Sequence, residues 1–171
     1  MLVDIALDTA AAQSIASLIR LALGALAGLV AAVVMGVPMG RQEGGFTPAY
    51  VTASVLRRTT PDEVSFRDAT VVHHGAGTLA GVLYALVLTL GEAVAPSVGT
   101  LGGVDLLLHL VAVGLVVGFI YGFFAYVVLP RAGGSGIYEE QSTAVRGQWL
   151  RSSLVFGAAL AVVAPFLFAF A

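Results

Sequence analysis

The sequence predicts an all-α polytopic membrane protein, a four-transmembrane-helix bundle with both termini outside. Three features lead there: four long apolar stretches, a composition that leaves little for a soluble core, and arginines confined to alternate connections. The stretches cover residues 21–39, 71–90, 106–129 and 152–171. Each is long enough to cross a ~30 Å hydrocarbon layer at about 1.5 Å per residue. Because 58% of the 171 residues are hydrophobic and 11% charged, residues 1–171 are read as a single transmembrane domain whose first partner is the lipid bilayer.

In chain order, Met1 to Ile19 carries Asp4 and Asp8 and no basic residue, which argues against a secretory signal. Arg20 falls at the outer edge of the first span, where its stem reaches toward the headgroups. Connection 41–68 holds Arg41, Arg57, Arg58 and Arg67; Arg131 and Arg146 lie in 131–149, with Arg151 just beyond, and 91–105 holds no arginine. Arginine-rich loops stay in the cytoplasm, so 41–68 and 131–149 are inner loops of a multi-pass protein of the cell membrane. Residues 48–58 read either as a short helix laid on the inner membrane surface, carrying Tyr50, Val51, Val55 and Leu56, or as a loop. Thr60-Pro61-Asp62-Glu63 is a capping box with proline at the first helical position, which predicts a helix that starts there and runs through Phe66 into the second span. Pro130 closes the third span, and Trp149 between Arg146 and Arg151 marks the inner interface before the fourth. Pro165 kinks the fourth span and frees the carbonyl of Ala161.

Composition removes several chemistries. The chain has no cysteine, which excludes disulfides, thiolate metal sites and iron–sulfur ligation by its own residues. A net charge of −2 over short loops gives no basis for binding nucleic acid. None of the four apolar stretches contains Asp or Glu, which disfavours an ion-coupled carrier. No nucleophile and base share a recognisable motif, so no catalytic residue is assigned and the chain is read as a non-enzyme.

Two patterns remain. Gly24 and Gly28, Gly77 and Gly81, and Gly114, Gly118 and Gly122 recur every fourth residue. That spacing makes small-residue grooves that let helix backbones approach closely, in a tight bundle or an oligomer interface. His73 and His74 lie just inside the second span and His109 just inside the third. For a ~30 Å core His74 and His109 differ in depth by about 20 Å, so they cannot share a haem or metal within one chain. A haem held by His73 or His74 would need a symmetry-related copy or a partner subunit, and the other reading is that these imidazoles bond headgroups or backbone carbonyls.

His74-Gly75-x-Gly77-x-x-x-Gly81-x-x-Tyr84, with Gly118-x-x-x-Gly122 running to Leu129-Pro130 and the segment from Gly28 to Met39, resembles small uncharacterised four-helix membrane proteins of the haloarchaeal type. The resemblance covers most of the chain. It implies fold and location only, and carries over no activity.

Three functions stay open. The first is a structural or accessory subunit that packs by its glycine faces into a homo-oligomer or a larger membrane complex. The second is a haem-binding or redox subunit using His73 or His74 across an oligomer interface. The third is an oligomeric channel or exporter for a small solute.

Overall fold

The computed structural model describes residues 2–170, with side chains for 11–134 and 136–170. Met1, Ala171 and the side chains of Asp4 and Asp8 lie outside the described residues. Among the described residues, four helices are long and apolar enough to cross a membrane: Ala11–Arg41, Phe66–Val94, Leu106–Ala132 and Ser142–Phe168.

Helix α1 (Leu2–Arg41) begins well before the predicted boundary. No glycine or proline occurs between Leu2 and Leu23, so nothing stops the helix from extending toward the N-terminus. Arg20 therefore sits inside a continuous helix rather than at its edge. Its guanidinium pairs with Glu92 at 2.6 Å. Glu92 lies in the last turn of α3 (Phe66–Val94), which extends past both ends of the apolar stretch 71–90 and so takes in Asp68 and Glu92.

Helix α2 (Thr47–Arg57) is a helix, but it is wedged into the bundle rather than laid flat. Val51 is fully buried against Phe124, Leu129 and Val145, and Ala49 and Ala53 pack on Val64 and Ala69. Only Val55 and Leu56 of the four apolar side chains face strongly outward. The capping box at Thr60 starts a single 3₁₀ turn, Pro61–Glu63, and no more. Val64 is pulled into the Ala49 cluster in extended conformation, which ends that turn. Helix α3 then starts afresh at Ser65, whose hydroxyl accepts the Asp68 N–H at 3.1 Å.

At the far end of α3 the chain turns through a two-residue hairpin. Strands β1 (Thr100–Leu101) and β2 (Val104–Asp105) pair antiparallel, with Gly102 at φ 54° and Gly103 at φ 77°. Two consecutive left-handed residues make the turn that matches strand twist, and only glycine adopts it freely. A Cβ on Gly103 would also meet the Phe168 carbonyl oxygen at 2.8 Å, so the hairpin sits directly on the end of α6 (Ser142–Phe168).

Helix α4 (Leu106–Phe123) does not stop at Pro130. It widens into a π-turn over Phe124–Val128 and continues as α5 (Leu129–Ala132). In that wider register the Ala125 carbonyl would take the N–H of residue 130, which proline lacks. Arg146 Nε donates to it instead, at 3.2 Å, with its guanidinium over the Tyr126 ring. Trp149 donates its indole N–H to the Ile120 carbonyl and packs its ring on Phe124, joining α6 to α4.

The central core, with Ala27, Ala31, Tyr84, Leu88, Phe156 and Leu160 among its fully buried members, lies where α1, α3, α4 and α6 meet. Seven of the eight arginines cluster at the end of the bundle opposite the hairpin, and the described ends of α1 and α6 lie at the hairpin end.

Candidate functional site

The three glycine runs differ in their environments. A Cβ on Gly24 would stand 2.6 Å from both the Gly81 carbonyl oxygen and the Ala85 Cβ. On Gly28 it would overlap the Gly77 carbonyl oxygen, and on Gly77 it would overlap the Ala32 Cβ. These four glycines are therefore consumed within the chain, where α1 and α3 touch backbone to backbone. Around Gly114, Gly118 and Gly122 a Cβ would meet nothing within 4 Å. The third run faces away from the bundle.

Where α3 and α4 diverge toward the arginine-rich end, a cavity of about 490 Å³ opens between them. Its walls are almost wholly apolar and include Ala32, Met35, Val72, Ala80 and Phe156; Leu79, Phe119 and Phe123 stand at its outward side. His73 is the one ionisable residue in the lining, and it is buried. Its Nε2 lies 2.9 Å from the Ala32 carbonyl, which can only accept, so Nε2 carries the proton and Nδ1 is the acceptor of the neutral ring. His74, one residue on and rotated by about 100° around the helix, spends Nδ1–H on the Thr70 carbonyl at 2.8 Å. The two rings meet edge to face, 5.1 Å between centroids. Each imidazole thus has one nitrogen bound to backbone and one uncommitted, and among the described residues no group of three His, Cys, Asp or Glu could hold a metal.

His109 lies far from that pair, on the other side of the core. Its Nε2–H donates to the Ala161 carbonyl at 3.0 Å, the group that Pro165 leaves without an N–H. Its Nδ1 accepts from the Tyr84 hydroxyl at 2.7 Å. Both ring nitrogens are satisfied, and the side chain is a structural cross-brace of α3, α4 and α6. The proline four residues after Ala161 was a legible signal for an orphan carbonyl; the imidazole that meets it was not.

The hairpin end holds a polar cluster that sequence reasoning missed. The Asp105 carboxylate caps α4 by accepting the Leu108 N–H at 2.9 Å, and also takes the Ser97 hydroxyl at 2.8 Å and the Val98 N–H at 2.7 Å. These donors, Leu108 first, then Ser97 and Val98, hold its pKa down at about 2. An unfolded aspartate titrates near ~3.9. Asp105 therefore stabilises the fold fully above about pH 4, and that contribution disappears as pH falls toward about 2. In Asp105→Asn the acid sensitivity of the hairpin between those values is expected to flatten, together with faster hydrogen exchange at Leu108 and Val98 at neutral pH. An unchanged acid profile would assign the sensitivity to other carboxylates.

Comparisons with protein-family models, with curated proteins and with solved structures return no match for this chain.

Proposed function

We propose that this protein is a non-enzymatic membrane subunit that associates through the open glycine face of α4, with a second copy or with a helix of a larger complex. The observation that supports this is the contrast between the filled glycine groove of α1 and α3 and the empty one of α4. Gly114 and Gly118 are flanked by exposed Leu107, Val111 and Leu115, so a neighbouring helix would find a shallow groove with apolar rims. In hydrocarbon the gain from such a contact is close van der Waals packing, which glycine permits and larger residues prevent. We place the arginine-rich end in the cytoplasm and both termini outside, on the charge asymmetry between the two ends.

Native mass spectrometry after gentle extraction tests the association. The expected mass is a whole multiple of the 17.5 kDa chain or that chain with another polypeptide. Gly118→Leu is expected to shift the assembly toward monomer by roughly tenfold in Kd, about 1.4 kcal/mol, while Val162→Phe, on an exposed position of α6, leaves it unchanged. A native chain that runs only as a monomer, or an assembly indifferent to Gly118→Leu, refutes the reading.

A further inference from the structure

We infer that the cavity between α3 and α4 is a binding site for a single-chain lipid bearing a hydroxyl group, such as a long-chain or isoprenoid alcohol, taken up sideways from the bilayer. Volume and lining define the apolar part. About 490 Å³ lies within the usual range for a small-molecule site, and an unfilled void of that size would forfeit dispersion contacts along its walls. The mouth defines the route. Leu79, Phe119 and Phe123 are 69%, 56% and 50% exposed and sit within the spanning helices, so the medium outside the cavity is hydrocarbon and the entrant is a lipid.

The polar atoms define the head group. Of the side chains lining the cavity, three carry polar atoms: His73, Thr52 and Trp149. The Trp149 N–H is spent on Ile120 and the Thr52 hydroxyl proton on the Pro48 carbonyl at 2.8 Å. His73 spends Nε2–H on Ala32, and its Nδ1 has no hydrogen-bond partner among the described residues although the residue is only 6% exposed. The cavity thus offers acceptors without donors. A hydroxyl, which donates, satisfies His73 Nδ1; a carboxylate, an ester or a ketone, which only accept, would leave it unpaired and face it with a second acceptor. This inference is separate from the association through α4, because Phe119 and Phe123 lie roughly 100° or more around that helix from Gly118.

The test is photolabelling in proteoliposomes with three matched probes: hexadecanol carrying a mid-chain diazirine, its methyl ether and the corresponding fatty acid. The alcohol is expected to label peptides containing Leu79, Leu83 and Phe123, about fivefold or more above the ether, as one hydrogen bond implies. Ala76→Phe, an exposed position on the cavity wall, is expected to cut that labelling by roughly tenfold. His73→Phe is expected to leave labelling but erase the preference for the alcohol. Equal labelling by alcohol and ether overturns the assigned head group. Labelling that survives Ala76→Phe, or that spreads evenly to outward positions such as Leu110 and Leu154, overturns the site.

Discussion

Gly81→Leu is expected to unfold the bundle, whereas Gly118→Leu leaves the isolated chain as stable as before. The two positions share residue type, spacing and a place in a spanning helix. A Cβ on Gly81, however, would overlap the Gly24 carbonyl oxygen and lie 2.7 Å from the backbone nitrogen and Cα of Gly28. Those are backbone atoms of a neighbouring helix and cannot rotate away, so α1 and α3 must separate along their shared length. Overpacking a core by a few methylenes costs about 1–3 kcal/mol where side chains can yield; with backbone on both sides the cost at Gly81 is expected to exceed ~3 kcal/mol. At Gly114 the sign reverses: nothing lies within 4 Å, so Gly114→Ala gains helix propensity of up to ~1 kcal/mol. Denaturant titration in mixed micelles, followed by circular dichroism and by the fluorescence of the single tryptophan, Trp149, measures all three. Equal responses at Gly81 and Gly118 would mean that α1 and α3 do not meet as described.

That contrast also marks what can be read from such a chain. Four apolar runs name four spanning helices because length and hydropathy are local properties. They do not say which way each helix faces, since a stretch that is apolar all round has no side that must turn inward. Gly24, Gly77 and Gly118 look alike in one dimension, and the groove that is filled is decided by which helix lies opposite. The ends of elements were hidden for a similar reason. Thr60 and Ser65 are both sound caps, and the burial of Val64 among Ala49, Ala53 and Ala69 selects the second. Arg20 and Glu92, 72 residues apart, each look like an interface residue alone; as an ion pair they extend the bundle toward the hairpin. The cavity was invisible because it arises from divergence of two helices whose lining residues are ordinary lipid-facing types.

His109→Leu is expected to lower stability by about 2–3 kcal/mol, and the response of its partners identifies the cause. The substitution keeps an apolar volume in place but leaves two buried groups without partners, the Tyr84 hydroxyl and the Ala161 carbonyl. An unsatisfied buried polar group costs about 1–3 kcal/mol, while side-chain hydrogen bonds within membrane bundles average nearer ~0.6 and reach about 1.7 kcal/mol. Two such losses in a fully buried setting give the stated sum. Tyr84→Phe alone strands His109 Nδ1, yet added to His109→Leu it removes a group that is already stranded, so the double variant is expected to be less destabilised than the two singles combined. Pro165→Ala supplies the test specific to this geometry. It restores an N–H four residues after Ala161, and in the His109→Leu background it should return about 1 kcal/mol by closing the helical bond that proline forbids. Without His109→Leu the same change sets the new N–H against an imidazole already bound there and gains nothing. Strict additivity across these variants would show that His109 contributes bulk alone; the expected non-additivity makes it the brace that lets the proline-containing end of α6 be buried, where Gly102 of the hairpin rests against the Pro165 backbone.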